Sequence, residues 1–180
     1  MLKKGKKVAY LKPIQTGCTD KDPNGNWLAP DVEFIKANCP AVFTKYVYAY
    51  KLPATPALAA QEEHEIIDFD KIKTELCKLE KDFDHIVIES AGGLIVPVSQ
   101  KKTMTDLIKF LNVPTLLVSA NRLGTINQTC LSIYYAQSLK INLIGFTFSG
   151  LPATSETIEK VSSSNAAFIE AFSNLDFLQI

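Results

Sequence analysis

The chain of 180 residues is long enough for one domain with a real core and too short for two. Lys and Arg together balance Asp and Glu, and zero formal net charge argues against a dedicated nucleic-acid binder, whose affinity rests on neutralising phosphates. No apolar run reaches the length of a bilayer span, and the N-terminus lacks the apolar core of a signal peptide.

Residues 3–7 (KKGKK) are the only charge cluster, read as a solvated helix end, with a nucleic-acid patch as the alternative. Residues 8–11 form a short apolar run leading into KPIQTGC. Residues 18–30 (CTDKDPNGNWLAP) are polar and turn-rich and read as a loop. PDVEFIKAN, residues 30–38, then opens a helix with Pro in its first turn. Residues 70–82 (DKIKTELCKLEKD) place Ile72, Leu76 and Leu79 on one helical face. A second apolar run at 86–88 exits into ESAGG. TMTDLIKFL groups Leu107, Ile108 and Leu111, and residues 115–120 (TLLVSA) are a third run. GTINQTCLSIYYAQSL aligns Ile126, Cys130, Ile133 and Tyr134, and residues 143–149 (LIGFTFS) are a fourth run. Pro114 and Gly145 punctuate the returns to strand, and the closing DFLQI reads as the start of another strand.

Continuous apolar runs suit strands buried on both faces, and stretches of about 25 residues between the last three match helical crossovers. The pattern is therefore α/β: a mostly parallel sheet with helices on both faces, in a single domain over 1–180. Ligands of such sheets sit beyond the carboxyl ends of the strands, which puts Lys12, Glu89, Asn121 and Ser149 along one rim. Cys18, Cys39, Cys77 and Cys130 form no CxxC pair, so metal clusters and disulfides are not expected and the compartment is read as reducing.

Four places bear on chemistry. Lys12, followed by Pro13 and by Thr16–Gly17, is either a cation for a phosphoryl group or anionic substrate, or a surface lysine at a strand end. Asp31 is either part of a helix opening or a Mg²⁺ ligand, and Glu89 is either a solvated strand-end acid or part of a Mg²⁺–nucleotide site against the compliant Gly92–Gly93 backbone. Gly124 to Asn127 opens a helix whose free N–H groups would hold a carboxylate or phosphate, unless Thr125 simply caps it. His64 and His85 are the only histidines, and His64 lies among charges as an exposed helix-surface residue. Ser90 has no evident base and is not read as a nucleophile.

Taken together, these segments resemble the dethiobiotin synthetase family. VAYLKPIQTG is similar to its Lys-Pro-x-x-Thr/Ser-Gly segment and PDVEFIKAN to its acidic helix. IVIESAGGLIVPVS is similar to its Glu-Gly-Ala-Gly-Gly signature. TMTDLIKFLNVPTLLVSANRLGTINQTCLS is similar to the helix, strand and Leu-Gly-x-Ile-Asn turn that follow.

The resemblance implies a P-loop NTPase-like fold. It also implies ATP-dependent ureido-ring closure, converting 7,8-diaminopelargonic acid and CO₂ to dethiobiotin through a carbamate and a carbamic-phosphate. Lys12 would be the catalytic lysine, Thr16 a substrate contact, and Asp31 and Glu89 the Mg²⁺ ligands. Asp31, Glu89, Ser90, Ala91, Gly92 and Ser149 would lie along the nucleotide. Gly124, Thr125, Ile126 and Asn127 would bind the substrate's carboxylate tail from the partner subunit of a cytoplasmic homodimer, with neither nucleic acid nor membrane as partner. Ser90 stands where the family favours glycine, and Ser149–Gly150 where it usually has an adenine-reading Asn.

No G-x-x-x-x-G-K-[ST] run occurs in these residues. The resemblance thus implies truncation before Met1 by a strand, phosphate loop and helix of about 25 residues, and a possible cut at the C-terminus. Residues 1–180 alone are expected to associate and to lack turnover, because the phosphate loop supplies most of the triphosphate grip. The alternatives are a non-catalytic homologue or fragment holding a carboxylate ligand without ATP, and another ATPase of the same broad nucleotide-binding group.

Overall fold

A computed structural model describes residues 2–150 and 156–179, and the chain divides into two compact units, Met1–Phe110 and Leu111–Ile180. The expected α/β class is what is observed: every ladder between named strands is parallel, and helices separate the strands in sequence.

In the first unit β1 (Val8–Gln15) lies between β2 (Phe43–Ala49) and β3 (His85–Ile88). All eight residues of β1 are buried, so this strand is covered on both faces as its apolar pattern predicts. Its partner β2 is absent from the sequence reading. FTKYVYA has the aromatic and β-branched content of a strand, but its polar residues break the apolar run. Strand β3 departs from the expectation of burial on both faces. Its residues alternate between exposed and half-buried, with Val87 48% exposed. It pairs with β1 along one side only among the described residues.

The helices of this unit follow their apolar spacing and their caps. Helix α1 (Pro30–Asn38) starts on Pro30 and packs Val32 against Tyr10 and Ala29. Helix α2 (Pro56–Glu62) is unforeseen in the sequence; the Thr55 side chain caps it by accepting from the Leu58 N–H. Helix α3 (Phe69–Asp82) is capped by the Asp68 carboxylate and buries Ile72, Leu76 and Leu79, the predicted face, beside β1, β2 and β3. Helix α4 (Met104–Leu111) begins where Thr103 gives its backbone N–H and its hydroxyl to Asp106 Oδ2, at 2.7 and 2.9 Å.

In the second unit β4 (Thr115–Ala120) pairs in parallel with β5 (Leu143–Ser149). Helix α5 (Thr125–Ser138) joins them, and α6 (Glu156–Ser173) packs on α5. Cys130, Ile133, Phe146 and Ile169 form the core. Gly145 lies inside β5, at a shift of register. The chain end runs alongside it: Phe146 N–H donates to the Asp176 carbonyl and Leu178 N–H to the Phe146 carbonyl. A Cβ on Gly145 would come within 2.7 Å of the Leu178 side chain, so glycine is needed for this approach. The expected last strand is a single bridge from Phe177 to Phe146; Ile180 lies outside the described residues. All four cysteines are free thiols.

Candidate active site

β1 is longer than its apolar run suggests, and this changes the reading of Lys12. The strand continues through Lys-Pro-Ile-Gln, because β2 keeps pairing with it as far as Gln15↔Ala49. Pro13, which has no N–H to give, is passed over in that register. Lys12 is therefore not a surface lysine at a strand end but a mid-strand residue only 4% exposed. A buried ammonium requires compensation. It finds Asp31 Oδ2 at 2.6 Å, Glu89 Oε1 at 2.7 Å and the Ser90 carbonyl at 3.3 Å.

The two carboxylates arrive from different elements. Asp31 stands in the first turn of α1, and its N–H is 3.4 Å from Gln15 Oε1. Glu89 follows β3, and its N–H donates to the Leu11 carbonyl at 3.0 Å, so the ladder with β1 carries on past the strand's last residue. Tyr10, two residues before Lys12 and so on the same face of β1, gives its hydroxyl to Glu89 Oε2 at 2.6 Å. Burial, reinforced by the Glu89 carboxylate, pushes the Tyr10 phenol above its ordinary range and keeps it a donor.

A cavity of about 320 Å³ opens beside this cluster, lined by Lys12, Gln15, Thr16, Asp31, Ala91 and Gly92 together with residues 54–56. Of the residues singled out in the sequence, Lys12, Thr16, Asp31, Ala91 and Gly92 thus share one cavity, with Glu89 and Ser90 held to it through Lys12. Tyr10, Gln15 and Thr55 escaped the sequence reading. Tyr10 reads as a plain strand residue until the i, i−2 spacing from Lys12 is taken as one face; Gln15, three residues past Lys12, falls outside that spacing and reaches the cavity at the strand's end.

The second unit holds another cavity, of about 610 Å³. Gly124, Thr125, Ile126 and Asn127 line it at the start of α5, as do Arg122 and the apolar side chains of Leu123, Val161 and Phe172. Gly124 has φ +90°, a left-handed conformation that suits glycine, and among the described residues no side-chain hydrogen bond caps this helix, although the Thr125 N–H donates to the Arg122 carbonyl at 3.0 Å. The alternative of capping by Thr125 is excluded: Thr125 is buried and its hydroxyl meets that of Thr129 at 3.3 Å. Arg122 and the apolar wall escaped the sequence reading. Ser149 is exposed at the end of β5, where its carbonyl accepts from Asn121 N–H at 3.4 Å; it lines neither cavity. His64 is exposed, just past α2 rather than on it.

Among the described residues no group of three or more His, Cys, Asp or Glu side chains is placed to hold a metal ion. Asp31 and Glu89 nevertheless converge on one ammonium, so two hard oxygens face a common point. That donor set fits Mg²⁺, which takes one or two carboxylates and completes its shell with water and phosphate oxygens. No described helix is long and apolar enough to cross a membrane.

The profile of a family described as "AAA domain" matches residues 1–179. The chain is 36% identical over 143 residues to the ATP-dependent dethiobiotin synthetase BioD of Lawsonia intracellularis, covering 79% of this chain and 64% of that protein. It is 31% identical over 173 residues to the BioD of Thermodesulfovibrio yellowstonii, covering 89% and 71%. With the BioD of Methanocaldococcus jannaschii it shares 32% identity over 175 residues, covering 89% and 78%. The chain belongs to the dethiobiotin synthetase family. It spans 64% of the length of the Lawsonia relative.

Proposed function

We propose that the protein closes the ureido ring of dethiobiotin in biotin biosynthesis, joining 7,8-diaminopelargonic acid and CO₂ at the expense of ATP. The observation that carries this reading is the buried Lys12 ammonium held between Asp31 and Glu89 on the wall of an open cavity. In the proposed route one amine of the substrate adds to CO₂ and loses a proton, giving a carbamate. A carbamate oxygen attacks the γ-phosphorus of ATP, and ADP leaves. The second amine attacks the carbonyl carbon of the resulting carbamic-phosphate, and phosphate departs as the ring closes.

Lys12 stabilises the negative charge of the carbamate and of the phosphoryl group in transit, in a place where water competes little. Thr16, on the same cavity wall, contacts the substrate. Asp31 and Glu89 hold Mg²⁺, which would neutralise triphosphate charge, and Glu89, Ser90, Ala91 and Gly92 run along the nucleotide. Ser149 is assigned to the nucleotide on the strength of its place in the family pattern.

The second cavity suits the other end of the substrate. Uncapped N–H groups of α5 and the Arg122 guanidinium attract a carboxylate, and the apolar wall takes an aliphatic chain. By the family pattern this cavity serves the partner subunit of a homodimer, and the compartment is the cytoplasm.

The test uses the full reading frame that contains these residues. Product and phosphate are measured with diaminopelargonic acid, bicarbonate and MgATP, each omitted in turn. Dethiobiotin formation that needs all of them supports the reading. Tight carboxylate binding with no product would favour a non-catalytic homologue.

A further inference from the structure

The hydroxyl of Tyr10 is committed to a carboxylate of the charge cluster. The ring of Tyr10 packs with Ala29 and Val32, the residues that bracket Pro30–Asp31 at the start of α1. Its oxygen reaches across to the residue following β3 and donates to Glu89 Oε2 at 2.6 Å. One side chain therefore touches both arms that deliver carboxylates to Lys12. Lys12 occupies Glu89 Oε1, so the two donors from one face of β1 take one oxygen each. Between them they fix the plane of a carboxylate that is otherwise half exposed and free to turn.

We propose that Tyr10 is a positioning residue: its hydroxyl holds the Glu89 carboxylate in the orientation that a divalent cation needs. The inference rests on the assignment of Glu89 to the cation site. Carboxylates that ligate metals are themselves commonly hydrogen-bonded from behind, and loss of such a partner costs about 10- to 100-fold in metal affinity or activity. A carboxylate released on one side samples orientations in which neither oxygen faces Asp31, and a cation would have to pay for reordering it. The contact is local to this cluster, because Tyr10→Phe keeps the ring and its packing with α1 and removes only the donor.

The experiment measures Mn²⁺ binding directly, by water-proton relaxation in the presence of ATP. It compares the full reading frame with Tyr10→Phe, Glu89→Gln and the double variant. Expected are a dissociation constant raised about tenfold in Tyr10→Phe, an unchanged thermal midpoint, and no further loss when Tyr10→Phe is added to Glu89→Gln. Non-additivity of this kind marks a residue that acts through Glu89, which a merely structural role would not produce. Parent-like affinity in Tyr10→Phe, with Glu89→Gln weakened, overturns the inference and leaves Glu89 as a ligand. Tighter binding in Tyr10→Phe also overturns it, since the hydroxyl would then compete with the cation. Equal binding by the parent and Glu89→Gln removes Glu89 from the cation site and the inference with it.

Discussion

The two cavities are built on opposite plans. In the first unit the polar groups are side chains that satisfy one another: an ammonium, two carboxylates and a phenol in mutual contact. In the second the polar groups are backbone N–H at a helix start that no side chain caps, beside one guanidinium and an apolar wall. The contrast extends to helix starts. Thr55, Asp68 and the Thr103–Asp106 pair cap α2, α3 and α4, and α1, whose N-cap Ala29 offers no side-chain bond, has Gln15 Oε1 3.4 Å from its Asp31 N–H, whereas α5 opens toward its cavity. On the proposed function, the closed charge cluster serves a reaction in which charge moves, and the open helix start holds an anion that stays put.

Removing the central cation should break this contrast most severely. Lys12→Ala leaves Asp31 and Glu89 near each other with only water and the Tyr10 hydroxyl to offset their charge, and takes away the one cation among the described residues that line the first cavity. Turnover should fall by about 10²–10³ or more, in line with the loss of a charge-stabilising donor. The steady-state rate of phosphate release, measured beside the circular-dichroism spectrum, is the check. A folded variant with parent-like turnover would show that the ammonium serves packing alone.

Substituting one acid at a time probes the same cluster more gently. Asp31→Asn and Glu89→Gln keep the shape and remove one charged oxygen ligand each. The Mg²⁺ concentration for half-maximal rate should rise about tenfold in each, with kcat at saturating Mg²⁺ changing less. Overlapping Mg²⁺ curves for the parent and Glu89→Gln would return Glu89 to the status of a strand-end acid.

How much of this was readable in advance differs between the two cavities in the same sense. Lys12, Asp31 and Glu89 announce themselves as charges beside apolar runs. The sheet rule already puts Lys12 and Glu89 on one rim, but the burial of Lys12 between Glu89 and Asp31 is not legible, because β1 runs four residues past its apolar stretch and β2 does not read as a strand. Polar residues at the carboxyl end of β1 hide the strand because they are buried there without being apolar, so pattern and burial part company. Tyr10 was invisible for the opposite reason, being an apolar-looking residue in an apolar run. At Gly124 the local signal marked a helix start but left capping by Thr125 open, and only the burial of Thr125 and its contact with Thr129 decide the matter. The part of that cavity's apolar wall formed by Val161 and Phe172 comes from α6, more than thirty residues away in sequence, and no local rule reaches it.

The second cavity can be tested at its hinge of backbone geometry. Gly124→Ala places a Cβ on a left-handed residue, which costs about 1–2 kcal/mol, with no neighbouring atom within 4 Å to add a clash. The helix start should shift to relieve it and carry its N–H groups away from the bound anion. KM for diaminopelargonic acid should rise about tenfold while kcat changes little, because a carboxylate tail remote from the chemistry is held equally in ground and transition states. A variant that lowers kcat with KM unchanged would place this turn in the catalytic step and erase the division between the two cavities.

The smallest expected effect belongs to a helix start that the chain satisfies by itself. The Thr103 N–H beside Asp106 holds its carboxyl below the ordinary carboxylate range, with a further bond from the Thr103 hydroxyl. Because the folded value lies below the unfolded one, the contribution is fully present above the usual carboxylate range. It is lost as pH falls through the lowered value. Asp106 is exposed, so solvent screening limits the gain, and an acid in a first turn is worth only about 0.3–1 kcal/mol. Asp106→Ala should therefore lower the urea midpoint slightly at pH 7 and progressively less toward pH 3, where the parent also loses its charge. Parallel midpoint curves across that range would mean that the capping charge contributes nothing and that α4 is held by the burial of Met104, Leu107 and Leu111 alone. In that case a satisfied helix start would be energetically no different from the open one at α5, and the contrast would rest on the charge cluster by itself.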